Sequence, residues 1–170
     1  MTKLKTIILI CQFLVLLGCT ENDADFRLSD FNTPKISGFY LRNALAEPVG
    51  TIGIPNVRLG SSSNSSSSLY YFTPYPNPCS NFCTFWIKSP VNNSVKKLWI
   101  VQAEFDHDIP GYSIDMGMNN IVVGGQPLFQ AEFTENNLSI DVSNLYEGYY
   151  RVYLKIDDIL LYDNLIIYNY

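Results

Sequence analysis

Between Tyr149 and Ile156 the chain alternates with a period of two. Tyr150, Val152, Leu154 and Ile156 share one face, and Tyr149, Arg151, Tyr153 and Lys155 share the other. Only an extended strand puts every second side chain on one side, so this octet is read as a half-buried strand with the first set facing in. No stretch of the chain carries a convincing helical period. The remaining apolar runs are short and bounded by Gly, Pro, Asn or Asp, as strands are. They are Ile36–Arg42, Val49–Ile54, Phe82–Lys88, Lys97–Glu104, Leu128–Phe133, Leu138–Val142 and Ile159–Tyr168. In Phe82–Lys88 the inward set is Cys83, Phe85 and Ile87. Asp157-Asp158 between the last two runs reads as a hairpin turn. Aromatic residues (14%, with 12 Tyr and 10 Phe) support strands over helices. About seven to nine short strands at this spacing predict an all-β, antiparallel β-sandwich.

Two segments are expected to stay outside the sheets. Gly60–Ser68 is nearly all serine and is read as a loop without packing capacity. Residues 106–127 hold Pro110, Gly111, Gly117, Gly124, Gly125 and Pro127, and are read as a loop with Gly124-Gly125 as a turn.

The N-terminus has a separate character. Lys3 and Lys5 precede an apolar run from Ile7 to Leu17, followed by Gly18-Cys19. A transmembrane helix needs roughly 20 apolar residues. This run has about 11 and contains Gln12, so it is a signal-peptide h-region. Leu16-Leu17-Gly18-Cys19 resembles the lipobox of bacterial lipoproteins. The resemblance implies cleavage before Cys19 and lipidation of that residue; an ordinary cleaved signal peptide is the alternative. A lipoprotein cysteine carries two or three acyl chains, and each buried methylene contributes about 0.8 kcal/mol, so the membrane attachment would be permanent. Residues 19–33 form an acidic tether with Glu21, Asp23, Asp25 and Asp30. An acidic stretch just after the lipidated Cys also resembles a surface-export signal, so location on the outer membrane is expected at either its periplasmic face or the cell surface. Residues 34–170 are expected to be a single domain. Loss of Lys3 and Lys5 takes the 11 basic residues to 9 against 16 acidic, a mature net charge of −7. Such an acidic body argues against nucleic acid as a partner and against direct adsorption on anionic lipid.

From Tyr71 to Tyr170 the chain resembles the type A C-terminal sorting domain of the type IX secretion system. The matching residues are Tyr75-Pro76-Asn77-Pro78, the strand Cys83-Thr84-Phe85-Trp86-Ile87, and Lys96-Lys97-Leu98-Trp99-Ile100. They continue with Leu138-Ser139-Ile140-Asp141-Val142-Ser143-Asn144-Leu145 and Gly148-Tyr149-Tyr150-Arg151-Val152-Tyr153-Leu154. The resemblance implies an immunoglobulin-like sandwich of about seven strands and recognition by outer-membrane secretion machinery. Two features depart from the pattern. The last strand ends Tyr168-Asn169-Tyr170 without the basic residues of the family, and no large functional domain precedes the module. The expected function is therefore that of a non-enzymatic, lipid-anchored envelope protein, a binding or structural module. The alternative is a type IX-associated protein or cargo.

Candidate chemistry is sparse, and no catalytic residue or cofactor is expected. His107 is the single histidine, in Asp106-His107-Asp108 beside Glu104. The cluster could ligate a cation, but a solvated loop is the commoner outcome and no metal is expected. A Ser-His-Asp triad would need the same His, and no Gly-x-Ser-x-Gly elbow exists. Cys79 and Cys83 remain in the mature body. On an extended strand they would sit about 13 Å apart, too far to bridge unless the chain turns between them. Two buried small apolar residues are the equal alternative, and a zinc site is not expected. Trp86, Tyr149 and Tyr153 fall on outward parities, and Trp99 has apolar residues on both sides of its strand. These four could form a face for another envelope protein or a glycan, unless loops or the N-terminal strands cover them.

Overall fold

The structure is a computed structural model and describes residues 33–62, 68–105 and 121–168. Among the described residues there are ten strands and no helix. They are β1 (Gly38–Arg42), β2 (Pro48–Gly53), β3 (Gly60–Ser62), β4 (Ser68–Tyr75) and β5 (Phe82–Lys88). They continue with β6 (Lys96–Phe105), β7 (Ile121–Phe133), β8 (Asn137–Asp141), β9 (Gly148–Ile156) and β10 (Ile159–Ile167). One sheet runs β10-β9-β6-β7 and the other β3-β4-β5-β8, with β1-β2 as a separate hairpin. All these strand pairs are antiparallel.

The fold is an immunoglobulin-like sandwich. β4, β5 and β8 stand where strands A, B and E stand in that architecture, and β6, β9 and β10 where C, F and G stand, with β7 beside β6 as an extra edge. The inner faces supply the core: Phe72 from β4, Cys83, Phe85 and Ile87 from β5, Leu98 and Ile100 from β6, and Ile140 from β8. Tyr150, Val152, Leu154 and Ile156 from β9 meet them, with Leu161, Leu165 and Ile167 from β10. Each such side chain contributes roughly 1.5–3 kcal/mol by leaving water.

A tyrosine fixes the bend before β9. The Tyr150 hydroxyl donates to the Tyr146 carbonyl at 2.5 Å, the tyrosine-corner arrangement of immunoglobulin-like domains. Gly148 sits in the bend at φ 152°, where a Cβ would be strained. Burial pushes the Tyr150 hydroxyl pKa up, so it stays a donor at neutral pH. Tyr150→Phe keeps the ring and removes the bond. A loss of about 1 kcal/mol is expected, read as a lower urea midpoint at unchanged slope.

The Ser-rich and Gly-rich segments differ from expectation. Gly60–Ser62 pairs with β4, with Gly60 opposite Tyr71 and Ser61 opposite Tyr70. Backbone pairing needs no apolar side chain, so serines can extend a sheet edge. Residues 63–67 lie outside the described residues. Gly124 and Gly125 are inside β7 and form no turn. Val101 pairs with Pro127 and Ala103 with Val123, so residues 124–126 bulge opposite Gln102 alone. A Cβ on Gly124 would stand 2.9 Å from the Gln102 carbonyl oxygen. Pro127 is tolerated because β7 is an edge strand.

The outer face of the first sheet is also covered. The Tyr153 hydroxyl is 3.0 Å from Thr33 Oγ1, and Arg151 donates to the Pro34 carbonyl at 3.1 Å. Phe39 packs on Tyr149 with ring centroids 5.2 Å apart. Ile36, Phe39, Ala103 and Ile121 form a second small core. The expectation that Arg151 and Tyr153 point to solvent is corrected: both are buried, because the chain from Thr33 to Phe39 lies over them.

Candidate functional site

The four aromatic residues expected to share a face are not brought together on an exposed surface. Trp99 is 4% exposed and Tyr153 fully buried, while Tyr149 is half-buried under Phe39. Trp99 and Tyr153 are cross-strand partners on the covered side of the first sheet. Trp86 is the exposed member at 44%, and it belongs to the second sheet, edge-on to Tyr71 at 5.3 Å. The strand parities were read correctly, but parity does not say whether a further layer covers that side.

Cys19 and the cluster Asp106-His107-Asp108 lie outside the described residues; Glu104 is exposed on β6. Among the described residues no group of three or more His, Cys, Asp and Glu side chains could hold a metal ion. Among them also no helix is long and apolar enough to cross a membrane.

The densest chemistry is a polar node buried between β1, β10 and the Tyr75–Pro78 segment. The Arg42 guanidinium stands 3.0 Å from the Asp163 carboxylate, with both side chains nearly sealed from solvent. That oxygen of Asp163 has ion-pair proximity without good hydrogen-bond geometry. Burial pushes the Asp163 carboxyl up to about 6, against the opposing pull of Arg42 and Arg151. Asn77 ties the node together. Its amide nitrogen donates to the carbonyls of Tyr40 (2.7 Å) and Asn164 (2.9 Å), and its side-chain oxygen accepts from the Ile166 amide (2.9 Å). Its backbone exchanges two bonds with Arg42. The Asn of Tyr75-Pro76-Asn77-Pro78 thus clamps β1 and β10, between two cis X-Pro bonds. Arg151, over the Tyr162 ring at 4.6 Å, completes the charge in this region. The sequence carried one signal for the node: Asp163 has the parity of Leu161 and Leu165, so a carboxylate faces inward.

Beside the node lie both thiols. Cys79 and Cys83 are buried, unbridged and part of the main core. Cys79 is held by its backbone, whose amide donates to the Ile166 carbonyl at 3.0 Å and whose carbonyl accepts from the Tyr168 amide at 2.9 Å. The Cys79 thiol donates to the Ile166 carbonyl at 3.8 Å. The neighbouring Cys83 thiol draws the Cys79 pKa below its ordinary value, and burial, then the influence of Cys79, push Cys83 well up. A cleft of about 230 Å³ opens over Cys79, lined by Pro76, Pro78, Ser80, Phe82 and Tyr168.

No protein family matches the chain, and no curated protein does. Among solved structures the chain is similar to the soluble domain of PmoD from Methylocystis sp. ATCC 49242 (Rockwell). The two are 13% identical over 67% of this chain and 90% of that one, with a TM-score of 0.31. At that distance the likeness carries no functional argument.

Proposed function

We propose that this protein is a lipid-anchored envelope protein whose sandwich is a non-enzymatic binding or structural module. One observation carries the reading: the basic, apolar and Gly18-Cys19 succession at the N-terminus. Lipid at Cys19 holds the chain to the outer membrane, at its periplasmic face or at the cell surface. The 13 residues from Thr20 to Asn32 can span at most about 45 Å, so the body works close to the bilayer. Its partner is another envelope protein or a glycan, and the half-exposed pair Trp86 and Tyr71 offers an aromatic surface for it. Replacing Cys19 by Ala is expected to move the protein from the membrane to the soluble fraction, with loss of acyl mass from the N-terminal peptide. Continued membrane association of that variant would refute the anchor.

The second reading is a type IX-associated protein or cargo, recognised through residues 71–170. It is favoured by the order in which the matching segments occupy β5, β6, β8 and β9 of one sandwich, with Asn77 as the clamp before β5. Trimming the C-terminus cannot test it cleanly, because Leu161, Leu165 and Ile167 of β10 belong to the core. Protease shaving of whole cells with and without the secretion pore does. Surface exposure that depends on the pore supports this reading, and pore-independent exposure removes it.

A further inference from the structure

We propose that the β1-β2 hairpin rests on the bilayer, with Leu45, Val49 and Ile54 seated in its polar interface. The inference rests on the lipid anchor proposed above, and it assigns the part of the sandwich that meets the membrane.

The hairpin is attached to the sandwich through one of its strands. β1 buries Gly38, Phe39 and Arg42, whereas five of the six residues of β2 are exposed. Among the described strands β2 pairs with β1 alone. Leu45 is 76% exposed, Val49 64% and Ile54 80%. Isolated exposed apolar residues are ordinary, but three on one uncovered element mark a contact surface. From Asn43 to Val57 the single ionisable side chain is Glu47.

The tip of the hairpin is prepared to leave water. The Asn43 side-chain oxygen accepts from the Leu45 amide at 2.9 Å and the Glu47 amide at 3.0 Å. Its amide nitrogen donates to the Glu47 carboxylate at 2.7 Å. The Ala46 amide donates to the Asn43 carbonyl, and the Asn43 amide to the Glu47 carbonyl, both at 3.1 Å. The amides around Leu45 are therefore paired within the turn, and Leu45 can be buried without stranding them. The outer edge of β2 sets the depth. An open sheet edge is not tolerated in hydrocarbon, so the hairpin stops among headgroups and water.

Two observations select a bilayer as the occupant. The first is attachment. Thr20–Asn32 leads into Thr33, and β1 begins at Gly38, so the hairpin is the first strand pair on a tether that spans at most about 45 Å. Confinement of that kind gives a weak contact a high effective concentration. The second is charge. Residues 34–58 hold Lys35, Arg42 and Arg58 against Glu47, a net of +2. Residues 59–170 hold 5 basic against 11 acidic residues, a net of −6. Arg42 is paired with Asp163, and Lys35 and Arg58 are exposed. An anionic membrane surface therefore attracts this segment and repels the rest of the body. A second copy of the chain would instead bring two positive segments together.

The test uses the full-length acylated protein in vesicles of phosphatidylethanolamine and phosphatidylglycerol. The vesicles contain a phospholipid with a photoreactive diazirine on its acyl chain. After photolysis, lipid adducts are mapped by peptide mass, and the N-terminal peptide of the same digest reads the acyl chains on Cys19. Adducts at residues 43–54 are expected at least about ten-fold above those on peptides carrying Val91 and Tyr146, which are 56% and 78% exposed elsewhere on the domain. Adducts spread evenly, or gathered elsewhere, on a chain that carries acyl mass would overturn the proposal and leave the anchor standing. An N-terminal peptide without acyl mass would remove the anchor, and the proposal with it. The variant Leu45→Ser, Val49→Thr, Ile54→Thr is expected to stay in the membrane fraction while its hairpin adducts fall about ten-fold. Undiminished adducts would rule out these three side chains as the contact. Self-association in detergent that the triple variant abolishes would give the patch to a second copy and overturn the bilayer as its occupant. All three substituted side chains are exposed, and the mapping of unsubstituted protein stands even if the variant fails to fold.

Discussion

Replacing Arg42 by Met is expected to cost about 3–5 kcal/mol of stability at pH 7, and much of the loss should return on acidification. The size follows from leaving a buried charge without its partner. Asp163 is sealed between β1 and β10, and Arg42 is the cation in contact with it. The pH dependence follows from the carboxyl itself. Its folded pKa is about 6 against an ordinary value of 3.8, so the folded state takes up a proton before the unfolded chain does. The stability from this group is therefore fully present below about 3.8 and is lost as pH rises through 6. A gap of roughly two pH units corresponds to about 3 kcal/mol, and removing Arg42 widens it, because Arg42 is what holds the value down. Asp141 and Glu135 act in the opposite sense, since their lowered values favour the folded state at higher pH. Both are fully exposed, so comparison with the same pH series on Asp163→Asn isolates the buried carboxyl. Urea unfolding from pH 7 to pH 4.5 is the measurement. An Arg42→Met deficit that is the same at both ends would exclude this account. The double variant Arg42→Met, Asp163→Leu is expected to recover most of the loss, because a buried pair replaced by apolar residues is often neutral or better.

The parts of this fold that were legible were those with clean alternation or plain turn chemistry. Phe82–Lys88 was read to the residue, because Cys83, Phe85 and Ile87 alternate with exposed Phe82, Trp86 and Lys88. The hairpin at Asp157-Asp158 was read from turn chemistry, and Ile156 does pair with Ile159 around it. β4 was missed: it follows the serines and carries Pro74, although Phe72 on it is fully buried. β7 begins at Ile121, and Gly124, Gly125 and Pro127 hid its first half by breaking the period with a bulge.

The same limit explains the candidate site. Alternation in β9 identified two faces, but nothing local distinguished a face open to water from one covered by the chain more than 100 residues earlier. Arg151 pointed the wrong way: a guanidinium normally marks solvent, yet here it stacks on Tyr162 and donates to the Pro34 carbonyl. The bend at Ser80 and Asn81 before β5 was not legible, because it lies in a segment without periodicity. The turn-rich composition around Pro76 and Pro78 announced a bend without giving its direction.

Trp99→Ala is expected to lose about 3–5 kcal/mol, the range for deleting a large buried aromatic side chain. Trp86→Ala should lose less than about 1 kcal/mol, because only the buried part of its ring area is forfeited. Both residues occupy strand positions and carry the same side chain, so the contrast isolates coverage. Trp99 lies between Gln130 and Tyr153 on the outer side of the first sheet, the side over which residues 33–39 run. Trp86 lies between Thr73 and Asn137 on the outer side of the second sheet, with Tyr71 as its ring contact. If the first sheet were open to solvent on both sides of β9, the two substitutions would cost alike. Thermal melts of the two variants decide this, with the larger loss falling on Trp99. Coverage of that face also predicts that Trp86 fluorescence responds to a soluble aqueous quencher while Trp99 emission is shielded, so each single variant reports the exposure of the tryptophan that remains. A strongly quenched Trp99 in the Trp86→Ala protein would mean that the third layer is loose, and with it the burial of Arg151 and Tyr153.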